Sequence, residues 1–240
     1  MYTKKKPLYK RILLKLSGEV LQGSNTFGID FKTLFRIVSE VKILVNFGVE
    51  IGIVIGGGNI FRGATLKKIG ISKVISDDIG MLSTIINGLA FRDTMDNNNI
   101  NSCLMSAISV NGICESYDWK KAVNYLSKKI VVIFTAGIGI SNFTTDSAAC
   151  LRGIEIKADI ILKGTKVNGV YSSDPEKNKN AIMYNKLTYQ QVLDKKLKFM
   201  DLVSLILAKD NNIPIRVFNI NIPGVLFRVI MGKEEGTLIN

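Results

Sequence analysis

The chain has 240 residues, 47% of them hydrophobic, and a formal charge of +12 with no histidine. That apolar content can bury the core of one large α/β domain or two small ones, and no apolar run approaches the roughly 18 residues of a membrane-spanning helix. Without histidine, serine-histidine and cysteine-histidine nucleophiles are excluded, so any proton transfer falls to carboxylates, lysines or the substrate.

In chain order, the start Met1-Tyr2-Thr3-Lys4-Lys5-Lys6-Pro7 is charged without an apolar stretch behind it, which argues against secretion. Residues 11–16 are nearly all apolar and read as a strand covered on both faces. Lys15 breaks that run. Its ammonium needs an anion at the strand end, and Ser17-Gly18 supply a turn with free N–H donors. Residues 30–47 carry Leu34, Ile37, Val38, Val41, Leu44 and Val45 on one stripe, with Asp30 to cap the helix and Gly48 to end it.

The next strand, 49–55, stops in Gly56-Gly57-Gly58-Asn59. Bare backbone amides with no Cβ can cradle a phosphate, and with Arg62 and Gly63 just beyond, a helix is expected to follow with Arg62 on its first turn. Neither G-x-G-x-x-G nor the P-loop pattern is present, since Phe61 occupies the last glycine position of the former. A helix over 76–97 places Asp77 near its start, where a carboxylate either complements the helix dipole or accepts hydrogen bonds from ribose hydroxyls.

Further strands are predicted at 102–107, 130–135, 159–162 and 215–219, and helices at 119–127, 145–157, 200–211 and 223–231. The glycine-bearing segment after 130–135 enters its helix through Thr144-Thr145-Asp146, another amide-rich N-terminus. Residues 172–180 are polar and read as a functional loop. Cys103, Cys114 and Cys150 are widely separated and read as reduced, buried packing residues rather than a disulfide or zinc framework. Alternating strands and helices with no linker or repeat imply one α/β sandwich with a mainly parallel sheet, its ligands beyond the carboxyl ends of the strands. The positive charge suits polyanions, although the lysines are scattered and read mostly as solvated surface. Taken singly, the segments also have structural explanations: a tight turn, a snorkelling lysine, a helix cap.

Together they resemble one family. Lys15-Leu16-Ser17-Gly18, Gly56-Gly57-Gly58-Asn59 with Arg62-Gly63, Thr144 to Ala149, and Thr165-Lys166-Val167-Asn168-Gly169-Val170-Tyr171-Ser172-Ser173-Asp174-Pro175 look like the amino-acid-kinase superfamily. Asp77 to Met81, Asn87-Gly88-Leu89-Ala90 and Arg216-Val217-Phe218-Asn219 are similar to its bacterial branch acting on UMP. The resemblance implies a three-layer α/β/α sandwich, one domain over 1–240 with its acceptor side N-terminal and its donor side C-terminal. It implies transfer of the γ-phosphoryl of ATP to UMP with Mg²⁺, in a cytoplasmic homohexamer open to GTP and UTP as effectors, with no membrane or nucleic-acid partner.

By matching position, Lys15, Leu16, Ser17, Gly18, Gly58, Arg62, Thr165, Tyr171 and Asp174 would hold ATP. Gly57, Asp77, Ile138, Gly139, Ile140, Ser141, Asn142, Phe143, Thr144 and Thr145 would hold UMP. Lys15, Arg62, Asp146, Lys163 and Asp201 would form the catalytic set, with no metal ligand from the protein. Ile138, Ile140, Ser141 and Asn142 depart from the threonine, asparagine, proline and first phenylalanine usual in that loop, which removes two polar readers of the base and weakens discrimination against cytosine. Asn168 stands where an aspartate is usual, and Asp96, Asn97 and Cys103 depart near the region linked to GTP response.

Overall fold

The structure is a computed structural model that describes residues 6–62 and 70–240. Its main sheet has nine strands in the order β4-β3-β5-β2-β1-β6-β10-β11-β9. These are β1 (Arg11–Leu16), β2 (Glu50–Ile55), β3 (Ser102–Ser106), β4 (Glu115–Ser116), β5 (Val131–Thr135), β6 (Ile160–Thr165), β9 (Lys186–Leu187), β10 (Ile215–Asn219) and β11 (Thr237–Ile239). All neighbours pair in parallel except β10 with β11. A separate hairpin joins β7 (Val170–Tyr171) to β8 (Met183–Tyr184).

The described helices are α1 (Gly18–Leu21), α2 (Phe31–Asn46), α3 (Lys73–Asp96), α4 (Trp119–Ser127), α5 (Thr145–Glu155), α6 (Tyr189–Asp194), α7 (Leu202–Asp210) and α8 (Val225–Ile230). Strand alternation assigns them to two layers. Ile12, Leu14 and Leu16 of β1 face a cluster with Leu34, Ile37 and Leu44 of α2, Phe91 and Met95 of α3, and Val225 and Val229 of α8. Leu13, Val54 and Ile161 face the opposite cluster, with Ala122 of α4, Ala148 of α5, Val192 of α6 and Leu205 of α7. The sandwich is therefore α/β/α.

Local chemistry explains the boundaries. Asp30 accepts from the Lys32 amide at 3.0 Å to start α2, and Gly48, at φ +84°, follows its end. The third helix begins three residues earlier than expected, at Lys73, because the Ser72 hydroxyl accepts from the Ile75 amide and caps it there. Strand β6 runs three residues past the expected stop at Leu162, through Lys163 and Thr165. Arg62 itself is not helical: Gly58 to Ile60 form a turn and Phe61 and Arg62 belong to no element, while the rest of the expected helix, with Gly63, lies outside the described residues. Cys103 and Cys150 are buried as expected, Cys114 is only half-buried, and all three are free thiols.

By length and composition α3 is apolar enough to cross a membrane, but Ile85, Phe91 and Met95 place one side of it in the core. At the amino ends of the strands Glu50, 3% exposed, is held by Arg11 at 2.6 Å and Lys129 at 3.0 Å.

Candidate active site

The chain reverses its winding direction between β1 and β6, the crevice position at which open α/β sheets bind ligands. Lys15 and Lys163 are in-register neighbours there. Alternation turns both toward α5, on the side of Leu13 and Ile161. Asp146, in the first turn of α5, lies between them, with Lys15 Nζ 2.8 Å from Oδ1 and Lys163 Nζ donating to Oδ2 at 2.7 Å. Lys163 also donates to the Phe199 carbonyl.

Both lysines are buried, at 6% and 7% exposure, so their stems lie in the core and only the ammonium groups reach the carboxylate. Burial and the nearby Lys15 cation pull the Lys163 pKa down to about 8, although Asp146 opposes them. Burial works to raise the Asp146 carboxyl, but Lys15 and Lys163 outweigh it and hold the group below its ordinary value. With two cations and one anion the centre retains a formal surplus of +1, suited to a phosphoryl group carrying negative charge.

The glycine turn is packed against the β1 end. The Gly56 amide donates to the Leu16 carbonyl at 2.8 Å, and a Cβ at Gly18 would lie 2.5 Å from the Gly58 nitrogen. A Cβ at Gly57 would lie 2.7 Å from that of Ser83, whereas at Gly58 it would meet nothing within 4 Å, so the turn is tight on its inner side and open toward the cleft. Ser17 starts α1 without a side-chain cap bond, and Leu16 is fully buried, so this segment offers backbone rather than side chains. Arg62 is about half exposed and pairs with Glu19 at 3.0 Å.

Two buried amides hold the turn in place. Asn59 donates to Asn87 Oδ1 at 2.9 Å, Asn87 donates back to Asn59 Oδ1 at 2.7 Å, and each donates again to a carbonyl, Gly28 and Gly56 respectively. Their positioning role was not read from the sequence, where an asparagine carries no signal of burial. Asn87→Ala strands several buried polar groups. It is expected to cost about 1–3 kcal/mol in a urea melt. A variant as stable as the parent would exclude this role.

On one side of the charged centre a cavity of about 160 Å³ is bounded by Gly57, Gly58, Phe61, Asp77, Met81, Ile138, Ile140, Phe143 and Thr145. Asp77 Oδ2 accepts from the Asn142 amide at 2.7 Å, tying α3 to the 136–143 loop. That loop departs from β5 through Ala136 and Gly137 at φ +59° and +58°, and Thr84 Oγ1 accepts from the Ala136 amide at 2.7 Å to support the turn. At Gly139, φ +81°, a Cβ would lie 2.8 Å from the Ala107 carbonyl oxygen. Gly139, Ser141, Asn142 and Thr144 shape the loop without bounding the cavity.

Thr144 caps α5, accepting from the Asp146 amide at 3.0 Å, and donates its hydroxyl to Asp201. Asp201 in turn caps α7, accepting from the Ser204 amide at 2.8 Å and the Ser147 hydroxyl at 3.2 Å. It therefore joins the first turns of α5 and α7 and makes no ion pair with Lys15 or Lys163.

On the other side a cavity of about 560 Å³ is bounded by Thr165, Val170, Tyr171, Asp174, Lys177, Lys195, Lys196, Lys198 and Phe199. The four lysines make its rim basic; in the sequence they could not be told from solvated surface. Asp174 accepts from the Glu176 amide at 3.0 Å and pairs with Lys177 at 3.4 Å. Phe199, which receives Lys163, lines this cavity, while Thr145, adjacent to Asp146, lines the smaller one. The charged centre thus lies between residues that line the two pockets, and its own three side chains line neither. Among the described residues no three histidine, cysteine, aspartate or glutamate side chains form a metal-binding group.

The profile of the Amino acid kinase family matches residues 10–219. A uridylate kinase of Buchnera aphidicola subsp. Acyrthosiphon pisum is 61% identical over all of this chain and 99% of its own. One from Photorhabdus laumondii is 58% identical over 100% of this chain and 99% of its own. Among solved structures, a UMP kinase from Bacillus anthracis superposes with a TM-score of 0.93 at 42% identity, covering 97% of this chain and 96% of that one.

Proposed function

The chain belongs to the amino acid kinase family, in its uridylate kinase branch, and from that kinship we propose that it transfers the γ-phosphoryl group of ATP to UMP. The observation that carries this reading is the Lys15–Asp146–Lys163 centre between a large pocket with a basic rim and a small pocket holding Asp77. ATP takes the larger pocket, with Thr165, Tyr171 and Asp174, and its phosphates extend to Lys15 and the Gly18 and Gly58 amides. UMP takes the smaller, with its phosphate at Gly57 and Thr145 and its ribose at Asp77. The N-terminal half supplies most of the acceptor side and the C-terminal half the donor side.

Phosphoryl transfer passes through a loose transition state, so the protein aligns donor and acceptor and neutralises charge. Lys15 and Lys163 offset charge on the moving group, Asp146 fixes both ammonium positions, and Arg62 leaves Glu19 to hold a phosphate. Asp201 acts through the α5 N-terminus that it braces. The acceptor phosphate is already anionic near neutral pH, so the reaction needs neither a general base nor a covalent intermediate. Mg²⁺ would be held by the phosphates of ATP rather than by a carboxylate cluster of the protein, and would supply neutralisation of phosphate charge.

The outward residues Val74, Ile75, Leu82 and Ile86 of α3 are exposed and apolar, a face that neighbouring copies would cover in the homohexamer we propose. A cytoplasmic location and GTP and UTP as effectors follow from the same family reading.

The test is ADP release from MgATP with UMP, CMP, aspartate, glutamate or no acceptor. Release should require a pyrimidine nucleoside monophosphate, with UMP preferred over CMP only modestly, because Ile138, Ile140 and Phe143 offer the base no side-chain hydrogen bond. Release with an amino acid, or without any acceptor, would overturn the assignment.

A further inference from the structure

The two pockets differ in the charge of their walls. Four lysines and one aspartate, Asp174, line the larger, a formal surplus of +3, whereas Asp77 is the one charged residue lining the smaller. Lys177 is paired with Asp174 at 3.4 Å. Lys195, Lys196 and Lys198, on the turn between α6 and α7, are exposed and form no ion pair among the described residues. Asp194, directly before them, is engaged by the Gln190 amide at 2.8 Å. Lys195 Nζ lies 5.9 Å from the ring centroid of Tyr184, on the β7–β8 hairpin that also brings Tyr171 to the pocket wall. The same turn leads to the charged centre, since Phe199, next to Lys198, gives its carbonyl to Lys163.

Three like charges within four residues repel one another in the empty protein, and a polyanion arriving among them relieves that repulsion. A cleft lined by one sign of charge also focuses the field and raises the local concentration of an oppositely charged substrate, with association faster by about 10–10³-fold. Both nucleotides are anions, but the three phosphates of ATP respond to such a field more strongly than the single phosphate of UMP. We propose that Lys195, Lys196 and Lys198 form an electrostatic collar that draws the donor into the larger pocket and sorts it from the acceptor. These lysines act on the approach of ATP and not on the reacting atoms. The proposal deepens the reading of this pocket as the ATP site and rests on it.

The experiment is steady-state kinetics with MgATP and UMP varied in turn, on the parent chain and on two triple variants. One carries Lys195→Gln, Lys196→Gln and Lys198→Gln. The other is a control with Lys10→Gln, Lys128→Gln and Lys157→Gln, exposed positions just ahead of β1, β5 and β6 at the opposite ends of the strands. Both lower the formal +12 equally, and all six positions are exposed, so the core is untouched. At an ionic strength of about 0.01 M the collar variant should show KM for ATP raised about tenfold, with kcat and KM for UMP within about twofold of the parent. The control should match the parent. At about 1 M KCl, where charges act over only about 3 Å, the collar variant and the parent should converge. No rise in KM for ATP, an equal rise in the control, an equal rise in KM for UMP, or a rise undiminished by salt would overturn the collar. Absence of UMP-dependent ADP release from the parent chain would instead remove the functional reading beneath it.

Discussion

Replacing Lys15 by alanine is expected to lower kcat with MgATP and UMP by about 10²–10³-fold, with a much smaller change in KM for UMP. The ammonium lies 2.8 Å from Asp146 and is fixed by a buried stem, so it reaches the reacting group without reorganising during the reaction. A preorganised charge-stabilising donor is worth about 2.7–4 kcal/mol of barrier, which sets the size of the loss. Removing Lys15 also cancels the +1 surplus of the centre and leaves Asp146 paired with Lys163 alone. Arginine should not restore the rate, because its planar fork cannot occupy the place of a compact ammonium in a packed strand. A Lys15→Ala protein within about threefold of parental kcat would remove Lys15 from the reaction.

Asp146→Asn should have the second largest effect, on stability and on pH dependence together. It leaves two buried cations facing a neutral amide, and breaking a buried pair from one side costs about 3–5 kcal/mol, readable in a denaturant titration. Asp146 supports the protonated form of Lys163, so its removal lowers a pKa that already stands near 8. In the parent, kcat/KM for ATP should fall above about pH 8 as Lys163 loses its proton, and in the variant that limb should move to lower pH. An unmoved limb would show that Lys163 does not govern it.

The effect on folding has its own sign. Lys163 releases its proton near pH 8 when folded but near its ordinary 10.5 when unfolded, so the unfolded chain holds more protons in that window and this group makes stability rise with pH across it. The depressed carboxyl of Asp146 acts at the other end: its stabilisation is present above its ordinary 3.8 and is lost as the pH falls through the folded value.

Much of this architecture was legible in the residues because buried parallel strands leave nearly continuous apolar runs, as at Ile51 to Ile55 and Val131 to Phe134. The elements that escaped notice are short. Strands β9 and β11, the β7–β8 hairpin and α6 have two to six residues each, too few to establish a period, and they are held by tertiary partners such as the Thr237 hydroxyl accepting from the Val170 amide. Lys15 stood out as an ammonium within an apolar strand. Lys163 drew less weight because its strand was expected to end one residue before it. Asn59 and Asn87 entered the reading only as members of family motifs and not as a bonded pair, since a small polar residue looks the same in sequence whether it faces water or the interior. Arg62 was expected on a helix because glycine turns often open one, yet here its side chain reaches back to Glu19 on α1.

Strand β1 sends its odd-numbered side chains toward the carboxylate of α5 and its even-numbered ones into an aliphatic layer. Deleting or adding a single residue ahead of Lys15 would swing the ammonium to the far side, among Leu34, Ile37 and Leu44, where no counter-charge awaits it. The strand can therefore exchange one oily residue for another, but its length is immutable. Any tolerance for gained or lost residues belongs to surface turns such as 24–27.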